Sequence, residues 1–452
     1  MNIVIIGGVA AGAKAAAKIK RLLPSAKVQI YTDDTHVSYS SCGIPYYVEG
    51  NFTDYRMLLV RSPEEFKKDG IDVFLETRVE KILPAQKKIL VSHSSQARLV
   101  EYDKLIIATG ARPKIPDIKG VNDFDNIYTV RKIEDAINIR ERVLSSKRAV
   151  IVGGGYIGLE MLEALVKNGL HVDLIEHRNY LMHNLDDEMS NLLQDRLHGH
   201  SEYDFEIVTN DSVVEFCGQN RVLKSVTTES NKKLYTDFVI LCVGVLPNTQ
   251  LAKDAGIEIG ETGAIKVNKI MRTSEEDIYA CGDCAEKIHI VSGKPVWIPL
   301  GSTANKEGRC AAMNAAGIYA EFEGVLGSTV SRCISTTIAS TGLTEREAKN
   351  IGFTPVSVII NKPDKVSYMP DASDITLKVI ADKITGLLLG AQAVGSIGAD
   401  KRINTITSAL LGHLTAQEFN NNDITYSPPY STTIDPLLNA MQILCTKTAR
   451  DC

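Results

Sequence analysis

The chain of 452 residues carries a formal charge of -5 at pH 7, with 44% hydrophobic and 23% charged residues, the balance of a soluble globular protein with room for about three domains. That charge gives no global reason to expect nucleic acid or an anionic membrane as a partner, and no apolar run reaches the roughly 18 residues that a membrane span needs. The first residues, MNIVIIGG, already form a strand running into a glycine turn, so no secretory leader is read there and a cytoplasmic location is expected; nine scattered cysteines fit reduced thiols better than a disulfide framework.

In chain order, residues 2–6 (NIVII) predict a buried parallel strand. Gly7, Gly8 and Gly12 then open the helix AAGAKAAAKIKRLL, and a second strand, KVQIY, ends at Tyr31. Together they make a strand–helix–strand unit whose turn can hold a pyrophosphate on backbone N–H groups. The G-x-G-x-x-G pattern is incomplete, because Gly7 and Gly12 take its first and last places while Val9 takes the middle one. At the tip of the second strand, where an acid usually binds ribose, Thr32 precedes Asp33 and Asp34. The stretch SYSSCGIPYYVEG follows, and its Cys42 has no C-x-x-C or C-x4-C partner. Gly43 and Pro45 mark a turn, and a helix beginning there would help to lower the Cys42 thiol towards the thiolate.

Further on, YDKLIIATGARPKIP predicts a strand ending at Thr109-Gly110. KRAVIV at 147–152 leads into GGGYIG, a complete pattern on Gly153, Gly155 and Gly158, with Glu176 at the tip of the next strand. Two such units predict two dinucleotide sites. Glu176 favours NADH by hydrogen-bonding ribose hydroxyls and repelling a 2′-phosphate, while His177 and Arg178 keep NADPH open. DFVILCVGVLPN ends a strand at Val243-Gly244 and pairs in character with the Thr109 crossing. In EEDIYACGDCAE, Asp283 is placed to bind the ribityl hydroxyls of a flavin. Cys281 and Cys284 form a C-x-x-C, for which a structural reading ranks above a redox pair or half a zinc site; no metal site is expected. From about Gly327 onward the pattern is that of sheet strands mixed with helices, with Lys383–Gly386 a hairpin turn. Cys445 and Cys452 are expected on an exposed, frayed end.

The succession IIGGVAAG, IIATGARP, GGGYIG, CVGVLPN, YACGDCAE and LGSTANKEGR resembles that of the flavoprotein disulfide reductases with two dinucleotide-binding domains. The single-cysteine stretch is similar to that of the branch holding coenzyme A disulfide reductases, NADH oxidases, NADH peroxidases and persulfide reductases. The resemblance implies an α/β chain with two Rossmann-like domains and a C-terminal α+β dimerisation domain: FAD on 1–112 and 245–326, NAD(P)H on 113–244, dimerisation on 327–452. It implies cofactor contacts at Gly7, Gly8, Ala11, Gly12, Asp33, Thr109, Gly110, Arg131, Gly153, Gly155, Tyr156, Ile157, Gly158, Glu176, Gly244, Asp283 and Ala304. Ala10 stands where the oxygen- and peroxide-handling members usually carry a histidine.

Near the C-terminus, DITYSPPYS and VSYMPDAS match the two stretches from which the coenzyme A reductases reach the partner's cysteine, which implies roles for Tyr426 and Tyr368. Tyr430 is read as an interface aromatic. Lys14, Lys18 and Arg21 share one helix face by spacing, and the resemblance makes Lys18, Arg21 and Ser38 coenzyme A contacts. Ser41 stands where the family often has an asparagine. The function so implied is electron transfer from NAD(P)H through FAD and Cys42 to coenzyme A disulfide or a coenzyme A persulfide or polysulfide, in a homodimer with a small-molecule thiol partner. Two alternatives stay open: a water-forming NADH oxidase cycling Cys42 through a sulfenic acid, and a non-enzymatic NADH-sensing flavoprotein.

Overall fold

The computed structural model describes residues 1–94 and 96–448. In the first of its five-stranded sheets, Asn2–Ile6 pairs in parallel with Lys27–Tyr31 on one side and Lys104–Ile107 on the other, and Ile71–Phe74 and Ile278–Ala280 form the edges. The run NIVII has no polar face because both faces are covered: Ile3, Val4 and Ile5 are fully buried, each such burial stabilising by roughly 1.5–3 kcal/mol. Strand order reverses at Asn2–Ile6, which opens a crevice at the C-terminal strand ends. The Ala10–Leu22 helix begins there. Its small residues allow close packing, and a Cβ on Gly308 of the Gly301–Ala315 helix would lie 2.4 Å from the carbonyl oxygen of Ala11.

A second parallel sheet repeats the plan. Arg148–Val152 lies between His171–Glu176 and Phe238–Leu241, with Phe205–Thr209 and Ile127–Tyr128 at the edges, and the Tyr156–Lys167 helix follows the glycine turn. The two units share one steric requirement. A Cβ at Gly12 would sit 1.9 Å from the oxygen of Gly7, and one at Gly158 would sit 2.0 Å from that of Gly153. Gly7 and Gly153 in turn have φ of 99° and 110°, a region other residues rarely adopt. The middle position differs: Gly155 has φ of -85° and nothing within 4 Å of its would-be Cβ. Val9 therefore replaces it in the first turn without a clash from the chain itself.

The two sheets are linked where the sequence marks crossings. Ala111–Pro113 pairs antiparallel with Val245–Pro247, and Thr109 Oγ1 donates to the Asn248 oxygen at 2.8 Å while Asn248 Nδ2 donates back to the Thr109 oxygen at 2.9 Å. The third sheet is antiparallel, in the order Thr329–Cys333, Thr336–Gly342, Leu388–Gly395, Asp374–Asp382, Pro355–Pro363. The Lys383–Gly386 turn joins two of these strands as expected. The first hairpin turns at Ile334 and Ser335, both with positive φ (44° and 63°), which no glycine or asparagine announced. Cys445 departs from the expectation of a frayed end: the Pro436–Cys445 helix carries it into the core beside Phe419 and Leu444, 3% exposed. Cys452 lies outside the described residues. Among the described residues no helix is long and apolar enough to cross a membrane.

The third sheet is tied to the second unit by a buried cation. Lys378 Nζ lies 2.9 Å from Asp186 Oδ2 and 3.1 Å from Glu345 Oε2, and it also pairs with Glu188. Burial alone would push the Glu345 carboxyl up, but hydrogen bonds from Lys349, Ser357 and Lys378 outweigh that and hold it at about 2.

Two outcomes follow for stability. In urea unfolding, Gly158→Ala should cost about 1–3 kcal/mol by overpacking, whereas Gly155→Ala should stay within about 1 kcal/mol of the parent. The Glu345 carboxyl is held at about 2 in the fold against an ordinary 4.5, so its contribution is fully present above pH 4.5 and is lost as pH falls towards 2. Lys378→Met should lower stability at pH 7 by about 3 kcal/mol, because buried Asp186 and half-buried Glu345 lose their cation; the deficit, read from denaturation midpoints, should shrink as the carboxylates protonate below pH 4.5.

Candidate active site

A cleft of about 2080 Å³ is lined from both parallel sheets. Every cofactor residue expected from the sequence lines it except Gly12 and Gly158, which pack against the turn carbonyls. Three helices contribute their first residues to this cleft: Ala10–Leu22, Tyr156–Lys167 and Gly301–Ala315. None has a side-chain cap and none has an acid in its first turn, so free N–H groups and the positive ends of the helix dipoles are available to phosphate.

The polar groups between these termini suit a flavin on the first unit and a nicotinamide dinucleotide on the second. Asp283 Oδ2 lies 3.4 Å from Arg131 Nη2, and the indole N–H of Trp297 donates to the Asp283 carbonyl at 2.7 Å. Gly282, with φ of 81°, admits the close approach of Ala11 and Ala304, whose Cβ atoms would lie 2.9 and 3.6 Å from a Cβ placed on it. On the second unit, buried Glu176 accepts from the N–H of Gly154 at 2.6 Å and from that of Arg178 at 2.9 Å, and His177 Nδ1 lies 2.8 Å away. Oε1 faces both Arg178 and His177, whereas Oε2, with Gly154 alone, keeps a lone pair for a ribose hydroxyl. Tyr156 is half-buried, its hydroxyl bonded to Thr329 and Asn184. Asp33 is exposed at the cleft edge, while its neighbour Asp34 pairs with Lys132.

Cys42 sits in a single turn, Ser41–Gly43, that runs directly into the Ile44–Glu49 helix with Pro45 in its first turn. Among the described residues it is the one exposed cysteine. The helix start expected from the sequence is present, yet the thiol is not lowered by the chain's own groups. The cleft walls strip water from the sulfur and push the thiol up, the charges of Glu160 and Asp283 add to this, and a hydrogen bond with Ser41 and the charge of Arg131 only partly oppose it. Cys281 and Cys284 are buried, their thiols raised by burial, and Cys284 Sγ faces the carbonyl oxygens of Ile107 and Cys281 at 3.5 and 3.4 Å. That is the structural reading of the pair. Among the described residues no group of three or more His, Cys, Asp or Glu is placed to hold a metal ion.

Of the remaining expected residues, Ser41 lines this cleft beside Cys42 and the others lie outside it. Lys14 and Lys18 are half-buried and Arg21 is exposed on the first helix, with Arg21 Nε donating to the Ala17 oxygen at 3.1 Å. Ser38, at φ of 51°, is pinned beside the first glycine turn: its N–H donates to the Gly8 oxygen at 2.8 Å and its oxygen accepts from Val60 at 2.7 Å. Tyr368 and Tyr426 are 72% and 45% exposed on loops of the C-terminal unit. One buried side chain supports both loops, since Arg402 Nη2 donates to the Asp364 carbonyl at 2.8 Å and to Asp435 Oδ2 at 3.0 Å. Tyr430 is exposed, with Lys401 Nζ 5.7 Å from its ring centre.

Two residues of the cleft escaped the sequence reading. Glu160 and Trp297 both line it. Glu160 carried a signal, a lone acid in the apolar run YIGLEML; Trp297 is the chain's one tryptophan but has no motif around it.

The chain matches the family model for pyridine nucleotide-disulphide oxidoreductases over residues 1–308 and that for their dimerisation domain over residues 332–437. It is 38% identical over 447 residues to an NAD(P)H coenzyme A polysulfide/persulfide reductase of Pyrococcus horikoshii, covering 98% of each chain. To a coenzyme A disulfide reductase of Staphylococcus aureus it is 30% identical over 437 residues, covering 95% of this chain and 96% of the relative. Its fold superposes on the solved NAD-dependent persulfide reductase of A. fulgidus with a TM-score of 0.96 at 36% identity, over 99% of this chain and 83% of that one. Both family models fall in order along one chain that its relatives match nearly end to end, and the chain is therefore an enzyme of the pyridine nucleotide-disulphide oxidoreductase family, dependent on FAD and NAD(P)H.

Proposed function

We propose that the enzyme passes electrons from NADH, with NADPH as a second donor, through FAD and Cys42 to coenzyme A disulfide or a coenzyme A persulfide. The observation that carries this reading is the setting of Cys42: a lone exposed thiol opening on the same cleft as both glycine turns. The FAD unit comprises 1–112 and 245–326, the nicotinamide unit 113–244 and the dimerisation unit 327–452. Bound FAD supplies the two-electron relay between nicotinamide and sulfur. The Gly7–Gly12 and Gly153–Gly158 turns seat the two pyrophosphates, Glu176 holds the ribose hydroxyls of NADH, and Asp283 with Arg131 orients the flavin side.

As a thiolate, Cys42 attacks one sulfur of the acceptor disulfide, forming a Cys42–coenzyme A disulfide and expelling a thiol, or hydrosulfide when the acceptor is a persulfide. Two electrons then cleave that bond and release coenzyme A. Lys18 and Arg21, with Lys14 on the same face, and Ser38 beside the first turn bind the phosphates of coenzyme A, and Ser41 faces its arm. Tyr368 and Tyr426 of the second copy donate protons to the leaving sulfur, for which a phenol is suited.

Steady-state NADH oxidation with coenzyme A disulfide, a coenzyme A persulfide and oxygen alone as acceptors tests the reading. Turnover should be fast with one of the sulfur acceptors and slow with oxygen, and Cys42→Ser should lose sulfur-acceptor turnover by several orders of magnitude while keeping the flavin spectrum. Oxygen-driven turnover equal to the sulfur rate, or a fully active Cys42→Ser, would sink it. Tyr426→Phe and Tyr368→Phe should each lower kcat about 100-fold, the lower end of the range for a lost general acid, with FAD content unchanged.

A further inference from the structure

The Ile44–Glu49 helix that follows Cys42 packs on the Tyr156–Lys167 helix: Ile44, Tyr47 and Val48 share a core with Leu159 and Leu162. Through this contact Glu160, the residue after Leu159, lines the same cleft as Cys42, Pro45 and Tyr46. One of its oxygens, Oε1, accepts from Ser331 Oγ at 3.1 Å, a group of the Thr329–Cys333 edge strand. Among the described residues no cation pairs with Glu160 within 4 Å. The cations nearby are committed elsewhere: Arg332 Nη2 lies 3.1 Å from Glu163 Oε1, and Lys167 bridges Glu163 and Glu49 at 2.5 and 2.9 Å. A carboxyl held by a hydroxyl, unpaired and half-buried, keeps its charge for the groups that share its pocket.

We propose that Glu160 governs the reactivity of Cys42 through its charge: the ionised carboxyl holds the thiol protonated, and the neutral carboxyl permits the thiolate. Glu160 is thereby a positioning charge that acts through Cys42 and takes part in no bond change. Burial pushes its carboxyl up to about 7, with Glu163 adding to the rise and Ser331 opposing it, and Glu160 is the first charge, after burial, that raises the Cys42 thiol. The other groups facing this pair are Tyr156 on its own helix, Tyr46 beyond Cys42, Arg332 and Cys333 on the edge strand, Cys242 on the second unit, and Asp283 and Arg131 across the cleft. The sign is definite. As pH rises through about 7, Glu160 gains charge and opposes ionisation of Cys42, so the thiolate population climbs less steeply with pH than that of an isolated thiol.

The coupling rests on the reading of Cys42 as the reacting thiol only for its effect on turnover, and it is measured without turnover. Iodoacetamide labelling of Cys42 in the purified flavin-loaded dimer, followed by mass against pH with Cys42→Ser as the blank, should rise shallowly above pH 7. Glu160→Gln should label roughly 3- to 10-fold faster at pH 8, as the thiolate fraction grows when a like charge is removed, and should follow a single steep step. Glu160→Asp, which keeps the charge, should retain the slow, shallow profile. Ser331→Ala, which removes the hydrogen bond favouring the charged form, should label faster near pH 8 and like the parent near pH 10. Equal profiles for parent and Glu160→Gln, or equal shifts for the Gln and Asp variants, would overturn the proposal. Loss of sulfur-acceptor turnover in Cys42→Ser bears on the proposed function alone.

Discussion

A Cβ on Gly12 would lie 1.9 Å from the Gly7 oxygen, and one on Gly158 would lie 2.0 Å from the Gly153 oxygen; no side chain other than hydrogen lets either helix come so close to the turn that launches it. That approach sets where each helix begins, and the uncapped N-terminus is what each unit offers to a pyrophosphate. The same economy recurs where the Gly301–Ala315 helix crosses the first, with Gly308 against Ala11. Three N-termini are thereby gathered on one cleft, and Asp283 and Cys42 are carried to its walls by the strands and turns that the helices pin.

The second dependence is between units rather than within them. The short helix after Cys42 has few residues of its own to hold it, and its stability is borrowed from the nicotinamide-side helix and from the charged chain Glu49, Lys167, Glu163, Arg332. Arg332 belongs to the antiparallel sheet. The Cys42 turn is therefore anchored at once to the second parallel-sheet unit and to the unit that matches the dimerisation domain. This placement explains how a cysteine with no sequence neighbour of its own kind comes to sit among electrostatic partners drawn from three separate stretches of chain.

Much of this architecture was legible because it repeats local rules. The apolar runs at 2–6 and 148–152 and the glycines after them specify strand, turn and helix from nearest-neighbour sterics, and even the irregular Val9 is accounted for once the middle position is seen to bear no clash. The Lys383–Gly386 hairpin followed from turn chemistry. The hairpin at Ile334-Ser335 did not, since neither residue favours the positive φ it adopts between the paired flanking strands. Trp297 was illegible, and the lone acid Glu160 was visible without its meaning, for a different reason: their significance lies in what the fold sets opposite them. The lowered thiol expected at Cys42 failed likewise: a helix N-terminus can be read from Gly43 and Pro45, but neither the walls that desolvate the sulfur nor the acid of a helix more than a hundred residues away can.

Arg402 adds a constraint of another kind. By grasping the Asp364 carbonyl and the Asp435 carboxylate at once, it makes the loops of Tyr368 and Tyr426 two ends of one lever. Both loops thus rest on the same buried guanidinium, so a change that shifts Arg402 would be felt at both of them, and neither can be repacked around it independently of the other.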